Sequence, residues 1–328
     1  MIFKKYGTQL FLLAALVVSL VVSLFADQID DYYMDIALNV GINIILAVSL
    51  NLVNGHTGQF SLGHAAFMAV GAYGSAVLTL QAGAPMVSAL GGGVFGQSLV
   101  FIIALLVGGV FAALLGWMVG VPSLRLRGDY LAIVTLGFNE IVRVVFTNTN
   151  ADGPFGGALG LKGIEPYTNF FWVFAIAAIS VYVVGSMVNS TYGRGFLVVR
   201  DDEVAGESMG INTVRYKVTA FVIGAFFAGL AGGLYAHLRT TISAEGFGFL
   251  KSVDVVVMVI LGGMGSTLGV VIAAVVLTVL NEYLRDFEQY RMIIFSLILI
   301  IMMIVRPQGL LPNVVLQRKK NKKTVDPA

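Results

Sequence analysis

An apolar run long enough to cross a bilayer recurs along this chain, over residues 8–25, 34–53, 60–80, 98–120 and 170–188. A hydrocarbon core about 30 Å thick takes about 20 helical residues at about 1.5 Å each. Lipid offers no partner to an open backbone N–H or C=O, and the alternating pattern of a barrel strand is missing, so these runs predict helices. The fold class expected is all-α, a polytopic integral membrane protein with the lipid bilayer as its solvent. Composition agrees, since 58% of the 328 residues are apolar and 12% are charged. The first run follows Lys4 and Lys5, yet it is longer than a typical signal core and no small-x-small cleavage pattern follows, so it reads as a retained helix.

Charge placement orients the helices. Lys4 and Lys5 precede the first run and Asp27, Asp30, Asp31 and Asp35 follow it, which puts the N-terminus in the cytoplasm by the positive-inside rule. Continued crossing places Arg125 and Arg127 inside and takes a fifth segment, 129–147, outward. It then leaves the glycine-rich loop 148–169 outside and returns 189–217 to the cytoplasm with Arg194, Arg200, Arg215 and Lys217. A seventh span, 218–238, leads out again, and the basic stretch RKKNKK needs a cytoplasmic address, so an odd number of crossings must follow. Residues 253–284 are too long for one span and are broken by GGMGS. Two crossings there, the first short, and one over 290–305 give about ten transmembrane helices with Gly-rich broken segments and both termini cytoplasmic. The expectation is one transmembrane domain over 1–312 and a basic cytoplasmic tail over 313–328.

Three stretches interrupt the apolar pattern with polar residues. In NGHTGQFSLGHAAFMAVGAYGSA, residues 54–76, polar groups and glycines stand between two apolar helices. Irregular backbone at membrane depth survives where protein or a water-filled cavity supplies hydrogen bonds, so Gln59, Ser61 and His64 are candidates for a translocation path. The bland alternative is close helix packing by Gly63, Ala66, Gly71, Gly74 and Ser75. His56 and His64 are eight residues apart, about 80° around an ideal helix, with no carboxylate nearby in sequence, which argues against a metal. The stretch DYLAIVTLGFNEIVRVV adds Asn139, Glu140 and Arg143 to the path candidates. Glu140 and Arg143 share one helix face, either as functional groups in the membrane or as an ion pair tying helices together.

The third stretch, RDDEVAGESMG, lies in the loop 189–217. Asp201, Asp202 and Glu203 suit the positive N-terminal end of a short helix and Gly210 its C-terminal cap. Such a charged projection reads as a docking element for a cytoplasmic partner, against the alternative of a solvated loop helix. GGGVFG, residues 91–96, has the letters of a dinucleotide fingerprint but follows no strand, and GxxxxGK[ST] is absent, so any ATP would be bound by another chain. The sequence contains no cysteine and only three histidines, and no nucleophile or metal constellation accompanies them. The chain is therefore expected not to be an enzyme, to use no cofactor and to bind no nucleic acid.

Six segments in order, GHTGQFSLGHAAFMAVGAY, RGDYLAIVTLGFNEIVRVV, ADGPFGGALGL, GRGFLVVRDDEVAGESMGIN, LGGMGSTLG and RPQGLLP, resemble the LivM-type permeases of branched-chain amino acid ABC importers over about residues 35–312. The resemblance implies a permease of the bacterial plasma (inner) membrane that pairs with a second, LivH-type permease as a heterodimer. It further implies two ABC ATPase subunits and an extracytoplasmic amino-acid-binding protein as partners. It makes the fourth segment the loop that touches the ATPases, with Arg200, Asp201, Asp202, Glu203, Glu207 and Gly210 as the coupling residues. The basic tail beyond Pro312 is the one departure. Leu, Ile and Val are the substrates it implies; an ABC permease for urea or short amides is the near alternative. A secondary transporter or channel using Glu140 and Arg143 as coupling groups is the distant one.

Overall fold

The computed structural model describes residues 3–25, 28–124, 129–151 and 153–287, together with residues 290, 293, 296, 297, 300, 301, 304, 305 and 309. Its helices are α1 (Phe3–Leu24), α2 (Asp31–Asn51), α3 (His64–Ala89), α4 (Gly93–Ser123), α5 (Asp129–Thr147), α6 (Phe170–Val188), α7 (Thr191–Asp201), α8 (Glu203–Ser208), α9 (Thr213–Arg239), α10 (Phe249–Gly262) and α11 (Thr267–Tyr283). Among the described residues six segments are long and apolar enough to cross a membrane: Asp31–His56, His64–Ala89, Gly93–Ser123, Tyr130–Thr147, Phe170–Val188 and Thr213–Arg239. α1 and α11 carry shorter apolar stretches, Leu12–Leu24 and Thr267–Tyr283. The fold is all-α and multi-pass.

The helices follow the apolar runs and then exceed them. α5 and α6 span the residues expected, α4 continues past both sides of the run 98–120, and α3 starts four residues inside the run 60–80 and continues nine past its end. A run measures the length in hydrocarbon, and backbone hydrogen bonding carries the helix on beyond it. The loop 189–217 holds two helices, α7 and α8, that periodicity alone had not separated. The expected final span, 290–305, is described only in part, and Arg125, Arg127 and the tail 313–328 lie outside the described residues.

Small residues let the central helices meet. A Cβ at Gly71 on α3 would collide with the backbone of Gly229 on α9, one at Gly108 on α4 would collide with Gly71, and one at Gly232 would collide with Met68. Lipid gives no hydrophobic drive between helices, so this close approach supplies the dispersion contacts that hold α3, α4 and α9 together. α2 runs through the interior, buried almost without a break from Val40 to Asn51, against α6, α9, α10 and α11. A two-residue antiparallel ladder, Leu161 with Ile242 and Lys162 with Thr241, ties the loop after α5 to the turn after α9.

Two breaks position the polar groups. α2 ends in a widened turn, Leu52–His56, and residues 57–63 are non-helical, with Gly58 at φ 69°. The second break separates α10 from α11, where Gly263 and Gly265 adopt φ 99° and 86°, the left-handed region that suits glycine. The breaks touch: the Gly265 N–H donates to Asn51 Oδ1 at 2.9 Å, and Gly55 has no room for a Cβ beside Gly265.

Candidate functional site

Loss of helix over 57–63 frees backbone groups, and neighbouring elements take them up. Leu62 N donates to Thr135 Oγ1 of α5 at 3.0 Å, and Ala65 N donates to Ser252 Oγ of α10 at 3.0 Å. Ser61 N donates to Asn54 Oδ1 at 3.2 Å, so the segment is folded onto the end of α2. Gln59 Nε2 donates to Thr57 Oγ1 at 3.0 Å, and Thr57 donates to Val53 O at 2.7 Å. Ser49 Oγ and His64 Nε2 share a hydrogen bond at 2.8 Å. Gln59, Ser61 and His64 are all buried. Asn51 Nδ2, His56 Nε2 and Gln59 Oε1 are buried without a hydrogen-bond partner among the described residues. Tyr73 Oη and Asn139 Oδ1 are likewise buried without such a partner; buried polar atoms are normally satisfied, so these five mark interior positions suited to water or a polar solute.

The other path candidates gather elsewhere. Asn139 is buried and its Nδ2 donates to Phe247 O at 3.4 Å, which attaches it to the turn between α9 and α10. Arg143 Nη2 and Glu140 Oε2 form an ion pair at 2.7 Å on the open side of α5. Together with Glu245, Lys251 and Asp254 they line a recess of about 480 Å³. The six candidates thus split into a group at the first break and a group at this recess.

The charged projection is built as two helices rather than the one expected. Ser190 caps α7, accepting from Tyr192 N at 3.1 Å, and Asp201 closes α7 instead of opening the next helix. Asp202 is extended and caps α8, accepting from Ala205 N at 3.0 Å. Gly210, at φ 81°, turns the chain toward α9 as a C-terminal cap should. Glu203 faces inward: its Oε1 accepts from Lys217 Nζ at 2.6 Å and from Thr213 Oγ1 at 3.3 Å. Thr213 Oγ1 also reaches Glu207 Oε1 at 2.9 Å. Of the six coupling candidates, Asp201 and Arg200 pair at the surface at 3.1 Å, and Val204 and Met209 of the same projection are exposed. Arg200 also packs onto Gly58, where any Cβ would press on its side chain. The charged projection therefore rests directly on the first break.

Sequence reading missed several buried polar links. Asn43 on α2 donates through Nδ2 to Thr278 Oγ1 of α11 at 2.9 Å, and its Oδ1 accepts from Lys251 Nζ at 3.2 Å. His237 on α9 meets Thr79 Oγ1 of α3 at 3.0 Å. For α2 the available signal was the polar trio Asn43, Ser49 and Asn51 in the otherwise apolar stretch 40–53.

The chain is similar to the high-affinity branched-chain amino acid transport system permease protein LivM of Escherichia coli, 38% identical over 301 residues that cover 82% of this chain and 67% of that one. A probable branched-chain amino acid transport permease protein LivM of Methanocaldococcus jannaschii is 25% identical over 315 residues, 82% of this chain and 90% of that one. The E. coli permease protein LivH is 29% identical over 124 residues, 37% of this chain and 40% of that one. No solved structure matches the chain. Residues 32–306 match the family model of the branched-chain amino acid transport system permease component, and with these six long membrane helices and two polar breaks the chain belongs to that family.

Proposed function

We propose that the chain is one of two membrane-spanning permease subunits of an ATP-driven importer that carries branched-chain amino acids inward across the bacterial plasma membrane. The observation that carries the reading is the 38% identity to LivM over 82% of the chain. The partial likeness to LivH supports a heterodimer of two related permeases. An extracytoplasmic binding protein would deliver the substrate. The sequence has no phosphate-binding loop of the GxxxxGK[ST] type, which favours ATP hydrolysis in two separate subunits.

In this reading the ATPases dock on α7 and α8. Exposed Val204 and Met209 beside Asp201 and Arg200 present a mixed apolar and charged surface, held from behind by Glu203 and Glu207. Movement of α7 reaches the first break through Arg200 on Gly58, and the second break through Asn51 on Gly265. Gln59, Ser61 and His64 then belong to the inner part of the path, and Asn139, Glu140 and Arg143 to its outer part. The six long helices, α1, α10, α11 and the segment 290–305 make ten crossings with both termini in the cytoplasm, as one domain over 1–312 followed by the basic tail 313–328.

The test is purification of the tagged chain from its own membrane, with companions identified by mass spectrometry and uptake of radiolabelled leucine measured in parallel. Two ATPases and a second permease are expected in stoichiometric amounts, and the ATPases are lost when exposed Val204 and Met209 are both changed to Asp. Leucine uptake that persists with both ATPases catalytically dead overturns the reading.

A further inference from the structure

The recess beside α5 combines features that rarely coincide in a membrane helix bundle. Its walls come from three elements: Glu140 and Arg143 on α5, Glu245 and Gly246 on the turn before α10, and Phe249, Leu250, Lys251 and Asp254 on the first turns of α10. A volume of about 480 Å³ falls within the range of small-molecule sites, about 300–1,000 Å³.

Its depth follows from α2. The membrane segment Asp31–His56 has 26 residues, about 39 Å at about 1.5 Å per residue, and Asn43 lies about 18 Å from its start. Lys251 Nζ donates to Asn43 Oδ1 at 3.2 Å, so the mouth of α10 stands near the middle of the membrane. The turn before it descends from the level of Asp35, which pairs with Arg239 at 3.2 Å at the end of α9. Glu245 and Gly246 are thus exposed on a segment that dips into the bilayer, and the Glu140 and Arg143 side chains are each about one third accessible beside it. Charged groups at that depth do not face hydrocarbon, and irregular backbone there lines a water-filled space.

The walls offer charges of both signs and an apolar side. Arg143 and Lys251 attract a carboxylate; Glu140, Glu245 and Asp254 attract an ammonium; Phe249 and Leu250 supply contact for a hydrocarbon branch. We infer that this recess is a substrate-binding site that takes a free α-amino acid by both charged ends, with Lys251 and Arg143 toward the carboxylate and Glu245 and Asp254 toward the ammonium. The inference rests on the importer reading and adds to it the residues that recognise the zwitterion inside the membrane.

The chain has no cysteine, so a single introduced thiol reports on this site alone within it. Gly246 is the position of choice, since a Cβ there meets nothing within 4 Å. The assembled complex carrying Gly246→Cys, in membrane vesicles, is treated with a membrane-impermeant cationic thiol reagent and the label on this chain is followed with time. Saturating leucine is expected to slow labelling at least fivefold, whereas leucinamide and N-acetyl-leucine, each lacking one charge, leave the rate unchanged. Glu245→Gln and Lys251→Gln, added singly, are expected to raise the leucine concentration for half-protection at least tenfold. Equal rates with and without leucine, or no labelling at Gly246→Cys and at Leu250→Cys, in a complex that still imports leucine, overturn the inference. A wild-type complex that imports no amino acid at all instead overturns the importer reading.

Discussion

The molecule carries two ion pairs whose settings are the reverse of what their locations suggest. On the charged projection Glu203 and Lys217 meet at 2.6 Å with side chains only 21% and 7% accessible. On α5, inside a membrane-spanning segment, Glu140 and Arg143 meet at 2.7 Å with side chains 35% and 36% accessible. The first pair joins two helices, α8 and α9, and is reinforced by Thr213, so it behaves as an internal strut. The second lies within one helix, and neither side chain makes an ion pair with another element among the described residues. A strut is judged by what its loss does to stability; an intramembrane pair open on one side is judged by what it can bind.

Glu203→Ala should give the largest effect on stability. It leaves Lys217 buried without its partner, and breaking a buried pair costs roughly 3–5 kcal/mol, read as a lower melting temperature of the purified complex. Replacing both residues together, Glu203→Leu with Lys217→Met, should recover most of that loss. Failure to recover would mean that the pair holds α8 in one orientation rather than merely avoiding a stranded charge.

Asp202→Ala removes the cap of α8 and should cost about 1 kcal/mol, with Asp202→Asn close to wild type. Reduced ATPase co-purification, without change in the rest of the complex, is the accompanying readout. For Glu140→Gln, stability should change by less than about 1 kcal/mol, while leucine uptake falls about tenfold, since a hydrogen bond to Arg143 survives and the negative charge does not. A large melting shift with normal uptake would erase the contrast between the two pairs. Asp201→Asn should be the mildest, within about 0.5 kcal/mol of wild type, because its contact with Arg200 is exposed to solvent.

Much of the membrane fold is legible in the sequence for a physical reason: in lipid, an apolar run of sufficient length has one inexpensive backbone state. Residues 170–188 coincide with α6, 129–147 with α5, and the interruption at GGMGS falls between α10 and α11. The i, i+3 relation of Glu140 and Arg143 was equally readable, being fixed by helix geometry. What escaped depends on tertiary contact. The sequence places Glu203 with Asp201 and Asp202 at the start of a short projecting helix, and only the packing of α9 against α8 turns it toward Lys217. The link from Lys251 to Asn43 spans 208 positions, and no local pattern announces it. Asp254 stands near the start of an apolar run in the sequence, and the fold brings it to the recess with Glu140 and Arg143.

Residues 57–63 also determine where the molecule is compliant. An α-helix resists stretching because every turn is cross-braced by its own hydrogen bonds, whereas this segment leans on single side chains of α2, α5 and α10. A load arriving through Arg200 at Gly58 meets stiff rods on both sides and a soft joint between them. Any displacement there falls on the joint first, whereas α3, α4 and α9, in contact at Gly71, Gly108 and Gly229, have no room to shift.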